Sequence, residues 1–213
     1  MQRIDSLPVE ASMRSFKRWC GVLLVTSLSA TFSAEIFPAE TPSAETSSAK
    51  PAGERPDLGR QEIGTVRRLA ESMVNATMSG DYARVVDNTY EPVVKELGGR
   101  DAAIKVASDA MQQLKDEHFE IKSYFVGTPE GLHREHGVTF TIVPTRMEMQ
   151  APDAHIVARG YLLALSEDAG KTWKFVDGSG LADAAFRDQV LPKLPADFTL
   201  PELQKPEITW LKK

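Results

Sequence analysis

Apolar side chains recur at Ile63, Val66, Leu69, Ala70, Met73 and Val74, followed by Thr77. That three-and-four spacing places them on one face of a helix from Arg60 to about Met78. Gly80 supplies a C-terminal stop, and Asp81 caps a short second helix over Tyr82 to Asp87. Pro92 suits the first turn of another short helix, and Gly98-Gly99 breaks the chain before a helix from Asp101 to about Glu117. The period then changes from 3.6 to 2. Phe119, Ile121 and Phe125 alternate with Glu120, Lys122 and Tyr124 in a first strand. Residues 127–137 are polar and read as a connection. In the next strand Val138, Phe140 and Ile142 point one way, but beyond Pro144 the large residues are Met147 and Met149, one step out of phase. A one-residue slip reverses the faces, so a bulge at Pro144 is expected. Ile156 to Leu165 is a nearly continuous apolar strand, and Thr172 to Asp177 completes the meander. A short helix from Leu181 to about Val190 follows. The Pro-rich tail from Pro192 to Lys213 is expected to pack as extended chain through Phe198, Leu200 and Trp210. The predicted fold class is α+β: N-terminal helices packed in the concavity of a strongly curved antiparallel sheet, in one domain.

The N-terminal third has another character. Arg14, Lys17 and Arg18 precede an apolar run from Trp19 to Ala30, and small residues follow at Ser29, Ala30, Ser33 and Ala34. This is the order of a secretory signal peptide, expected over residues 1–34. The apolar run is shorter than the roughly 20 residues that span a bilayer. Residues 35–58, rich in Pro, Ala, Ser, Thr and Glu, read as a disordered linker. The folded domain is then expected over 59–194, with an extended tail over 195–213. The chain is read as exported, either periplasmic or secreted.

The 213 residues contain one cysteine, Cys20, inside the leader. Lys17, Arg18 and Trp19 precede it, which argues against a lipoprotein acylation site. The mature chain would carry no disulfide and no thiolate chemistry. Four basic and two acidic residues fall in the leader (Arg3, Arg14, Lys17, Arg18; Asp5, Glu10), leaving 21 and 28, a net charge of −7. No basic stripe remains, so neither nucleic acid nor an anionic membrane is an expected partner.

Several clusters carry candidate chemistry. Ser166-x-Asp168-x-Gly170-x-Thr172-Trp173 matches the Asp-box of sialidases and related propellers. It occurs once, whereas a propeller repeats it, so it reads as a hairpin turn: Asp168 accepts backbone N–H groups, Gly170 takes positive φ, and Trp173 packs beneath. Sugar contact is the alternative. His133-Arg134-Glu135-His136 offers His133 and His136 as weak metal candidates, with His155 as a third imidazole near in space; the spacing is not a helical zinc motif, and the default is a solvated loop. No cofactor is expected. Arg146, Glu148 and Arg159 have two readings, an ion-pair ladder on the solvent face or polar residues of a ligand pocket. Tyr90, Tyr124, Tyr161 and Asp177 are the other pocket candidates. Asp177 is also the candidate catalytic base, because a carboxylate beside a tyrosine in an apolar cavity can move protons; a strand-end turn is its other reading. There is no nucleophile elbow, phosphate-binding loop or dinucleotide fingerprint.

Tyr90-x-Pro92, Leu97-Gly98-Gly99-Arg100, the helix running into Phe119-Glu120-Ile121-Lys122-Ser123, and the closing Trp173-Lys174-Phe175-Val176-Asp177 strand resemble exported bacterial members of the nuclear transport factor 2-like superfamily. The resemblance spans roughly Glu62 to Leu194. It implies a cone, a curved antiparallel sheet wrapped around helices with a pocket at the wide end. Members include isomerases, dehydratases, hydrolases and non-catalytic binding or assembly domains, and no catalytic residue of theirs carries over to this chain. The leading expectation is an exported, non-catalytic domain that binds a small apolar or amphipathic ligand, or a protein partner, between helices and sheet. The alternatives are an isomerase or lyase with a buried carboxylate base, and a structural homodimerisation module.

Overall fold

The computed structural model describes residues 59–211. The expected leader, linker and Cys20 lie outside the described residues. Four helices come first: α1 (Arg60–Ser79), α2 (Tyr82–Asn88), α3 (Glu91–Glu96) and α4 (Arg100–Asp116). Their ends carry the local chemistry that the sequence advertises. Glu62 reaches back to the Gly59 N–H at 3.1 Å. Gly80 sits at φ +78°, and the Gly80 and Asp81 N–H groups donate to Thr77 and Ala76 carbonyls at 3.3 and 2.9 Å, closing α1 with a Schellman pair. Asp81 accepts from the Arg84 N–H at 3.2 Å and starts α2. Gly98 and Gly99, at φ +92° and +95°, make the turn into α4.

Six antiparallel strands follow: β1 (Glu120–Val126), β2 (Glu130–Glu135), β3 (Val138–Gln150), β4 (Ala154–Ser166), β5 (Lys174–Asp177) and β6 (Glu207–Trp210). A 3-10 turn over Gly180–Ala182 and α5 (Ala184–Val190) stand between β5 and β6. The strands form one strongly curled sheet, a half-barrel, with the order β1-β3-β4-β5; β2 also pairs β3, and β6 also pairs β4. Two 13-residue strands, β3 and β4, are its spine.

The alternation expected in β1 is interrupted: a register shift between Ile121 and Ser123 turns Tyr124 and Val126 inward and leaves Phe125 exposed. Two further sequence expectations need correction. First, there is no bulge in the spine at Pro144. The β3–β4 register runs unbroken from Thr139↔Ser166 to Gln150↔His155, with Pro144 opposite Tyr161. The apparent phase change has another cause. Val138, Phe140 and Ile142 lie on the outer face, which α5 and the C-terminal segment cover there. Met147 and Met149 lie on the concave face, which is the covered one farther along the strand. The backbone does not slip; the cover changes sides. Pro144 sits where β3 changes partner from β1 to β2, and its carbonyl accepts from the Gly127 N–H at 2.8 Å. A missing donor is tolerated at such a handover.

Second, the expected polar connection contains β2. Leu132 is its one fully buried side chain, and the rest is polar because β2 is an edge strand. A two-residue turn, His136-Gly137 with φ +50° and +78°, joins it to β3, the primed geometry that tight hairpins favour.

The core has three parts. Val66, Ala70 and Val74 of α1 pack on Val143, Leu162, Ala164, Trp173 and Phe175 of the concave face. On the outer face Phe140, Leu163, Leu165 and Val176 meet Leu181, Phe186 and Val190, with Phe198 and Leu200 packed alongside. A third cluster of Met147, Met149 and Ile156 lies farther along. The C-terminal segment therefore shares the outer core and supplies a strand.

Gly178, just past β5, is pinned between elements. Its N–H donates to the Tyr161 carbonyl at 2.9 Å, and a Cβ there would sit 2.6 Å from the buried Tyr161 ring. Gly178→Ala is expected to cost about 1–3 kcal/mol, the usual penalty of overpacking, read as a lowered urea midpoint. A neutral result would mean that the ring swings away.

Candidate functional site

The concave face is not completely filled. Large residues line its two ends, but its middle carries Thr145, Ala158 and Gly160, with Ala158 opposite Met147 and Gly160 opposite Thr145. α1 and β1 close one side, while α4 packs mainly on α2, standing off the sheet. A cavity of about 900 Å³ runs from the space between helices and sheet past the edge of β4 to Ser179, Phe186 and Lys205. Met73, Val74, Val106, Met111, Phe119, Ile121, Met147 and Ile156 make its wall apolar, and Tyr82, Tyr124, Thr77 and Thr145 add isolated polar groups. The fully buried polar side chains among the described residues are Thr139, Thr141 and Ser166; none is charged.

Of the seven residues predicted for a pocket, Tyr124 faces the concave space, and Arg159, Tyr161 and Asp177 border the cavity where it passes the edge of β4. Tyr124 lies on β1, opposite Met147. Tyr161 lies over Gly178, and burial, reinforced by the nearby Asp177 charge, pushes its hydroxyl up to about 12. Asp177 is exposed at the end of β5, where Oδ1 accepts from the Ser179 N–H at 2.8 Å and from the Ser179 hydroxyl. That is the turn geometry anticipated for it.

Tyr90, Arg146 and Glu148 are elsewhere. Tyr90 precedes α3, donates its N–H to the Phe175 carbonyl at 2.9 Å and its hydroxyl to Glu167 at 3.4 Å, and so fastens α3 to the sheet. Burial, with Glu167 adding to it, moves its pKa upward. Arg146 pairs with Glu148 at 2.5 Å, and His155 stands 3.9 Å from Glu148. Arg146 is opposite Arg159, which pairs with Glu207 of β6. These groups form the ion-pair ladder on the outer face, where exposed pairs contribute little.

The Asp-box is a turn here. Asp168 accepts from the Thr172 N–H at 2.8 Å and the Thr172 hydroxyl at 2.7 Å, and bonds Ser166 Oγ at 2.8 Å. Gly170, at φ +88°, donates its N–H to Ser166 Oγ at 2.8 Å. The Trp173 indole, buried beneath, donates to the Gly170 carbonyl at 3.1 Å. These donors, led by Thr172, hold the Asp168 carboxyl down at about 2, against an ordinary 3.8. A depressed folded pKa stabilises the fold above the unfolded value and loses that contribution as pH falls through the folded one. Wild type is therefore expected to lose stability between about pH 4 and pH 2 more steeply than Asp168→Asn, as measured by urea midpoints across that range. Parallel curves would remove the turn from the acid response.

His133 and His136 flank the Glu135 carboxylate at its two oxygens, and only His133 belongs to a group that could share a cation. The His133 ring lies 3.0 Å from Glu135 and 3.8 Å from the exposed Asp197, and these three could hold a cation; His136 sits in the hairpin turn, its Nδ1 3.4 Å from Glu135. His155 is on the outer ladder instead.

Ala158 and Gly160, the cavity floor, are not among the sequence-predicted pocket residues, and Met73 and Met111 read from sequence only as apolar helix faces. Two small residues flanking an arginine in an otherwise bulky strand were the available sign. No family model, curated protein or solved structure matches the chain. No helix among the described residues is long and apolar enough to cross a membrane.

Proposed function

We propose that this protein binds a small apolar or amphipathic molecule in the cavity between α1, α2, α4 and the concave sheet. The observation that carries this reading is a void of about 900 Å³ with an apolar wall. Ligand sites commonly enclose about 300–1,000 Å³, lined mostly by apolar groups with a few polar ones to orient the ligand. The methionines Met73, Met111 and Met147 favour adaptable contact, since an unbranched thioether fits several shapes.

The reading includes export, from the leader, and membership of the nuclear transport factor 2-like superfamily, whose cone the curled sheet and inner helices resemble. The proton-transfer alternative calls for a carboxylate inside the apolar space, whereas Asp177 is exposed and holds a turn. The homodimer alternative would gain from Arg146 and Arg159 pairing with carboxylates across a two-fold, but each already has a carboxylate partner within its own chain.

Native mass spectrometry of protein purified gently from its own export pathway tests this. The expected result is a reproducible added mass, released by organic solvent, together with saturable binding of the uncharged apolar dye N-phenyl-1-naphthylamine. A clean mass and no saturable dye binding would refute the reading.

A further inference from the structure

The half-barrel has a window in one wall. On the side of β4 away from β3, β5 pairs Leu162–Leu165 and β6 pairs Ala154–Val157. Gly178 extends the first contact to Tyr161, and Pro206 precedes the second. Ala158, Arg159 and Gly160 therefore have no strand partner on that side. At about 3.3 Å per residue, Val157 and Tyr161 stand roughly 13 Å apart along β4, wide enough for a hydrocarbon chain. Ala158 and Gly160 of this stretch form the cavity floor, and Asp177 and Lys205 from the two rims border the same cavity, so the window opens into it.

The window also has its own chemistry. Main-chain groups of successive strand residues point to alternate neighbours. Because the Tyr161 carbonyl faces β5, the Arg159 N–H and C=O face the same way, into the gap. They offer one donor and one acceptor. The Arg159 guanidinium is already paired with Glu207. That leaves Asp177 on the β5 side and Lys205 on the β6 side, one charge of each sign, and neither has an oppositely charged partner among the described residues. The other charged lining groups, Glu117 and Asp153, lie at the opposite end, past α4 and in the β3–β4 turn.

We propose that ligands enter and leave through the β5–β6 window and that the polar head stays there, so that the site selects amphiphiles whose head has no net charge but both donates and accepts hydrogen bonds. This rests on the cavity being a ligand site. A glycerol ester satisfies Arg159, Asp177 and Lys205 together. A carboxylate meets Lys205 but faces Asp177, and a quaternary ammonium meets Asp177 but faces Lys205 and offers no donor. Like-charge contacts and unpaired polar groups oppose both.

The test is displacement of N-phenyl-1-naphthylamine from the mature protein by three ligands of equal chain length: 1-lauroylglycerol, dodecanoate and dodecyltrimethylammonium. The first is expected to bind about tenfold more tightly than either of the others, a difference of about 1.4 kcal/mol. Lys205→Glu, at an exposed position with no ion pair, is expected to improve dodecyltrimethylammonium binding about fivefold or more and to weaken dodecanoate. Equal affinity of all three ligands would overturn the head assignment while leaving the cavity reading intact. An unchanged ranking in Lys205→Glu would remove the head from the window. Failure of the dye itself to bind would overturn both.

Discussion

Gly160→Leu is expected to lower affinity for N-phenyl-1-naphthylamine at least about tenfold while the protein stays folded. Gly160 lies on the concave face opposite Thr145. A Cβ there would meet only Thr145 Oγ1, at 3.4 Å, and the backbone is not in the left-handed region. Nothing in the main chain therefore resists a side chain. Beyond the Cβ a leucine projects into the space that the ligand needs. The added carbons leave water, at about 0.8 kcal/mol for each methylene buried, so the melting temperature should hold or rise. Gly160→Ala is the control and should retain most binding. Full affinity in a folded Gly160→Leu protein would mean that ligand sits elsewhere. Gly178 is the contrasting glycine one strand away: the same added methyl group collides there with a buried ring.

Phe175→Ala is expected to destabilise the protein by about 3–5 kcal/mol, the range for removing a buried phenylalanine ring. Phe175 is fully buried on the concave face, opposite Ala164, packed in the cluster that joins α1 to the sheet. Its carbonyl accepts from Tyr90, so the same residue fixes α3. Because Phe175 also borders the cavity, the lost volume merges with existing space and gives its neighbours little reason to collapse. The cost should fall in the upper half of that range. Urea unfolding at unchanged slope measures it, and a loss below about 1 kcal/mol would show that the ring's surroundings close over the vacancy.

How much of this was legible in the sequence varied with the range of the interaction. α1 ends at Ser79 beside the anticipated Gly80 stop, and α2 starts after the anticipated Asp81 cap. The Asp-box turn forms the bonds that its spacing suggested. β2 was missed because an edge strand with one buried side chain has too little apolar alternation to announce itself. The phase change at Pro144 was visible, but its cause was not. Periodicity reports which side chains are buried, and a change of cover from one face to the other looks the same as a slip of the backbone. Among the pocket candidates, Tyr124 and Asp177 border the cavity, whereas Arg146 and Glu148 joined the outer ladder.

The sequence by itself determined the α+β order, the helix limits, the hairpin turn and the two-sided burial of β4. Those features rest on contacts within a few residues or on one strand's own pattern. Only the tertiary structure decided which face each half of β3 buries, that the C-terminal segment returns to β4 as β6, and that a window is left beside Arg159. Each of these depends on the pairing of segments as distant as Val157 and Glu207. A cavity is a volume between such segments, so no single stretch of chain encodes it; it exists because small side chains at Ala158 and Gly160 face a helix that stands away from the sheet.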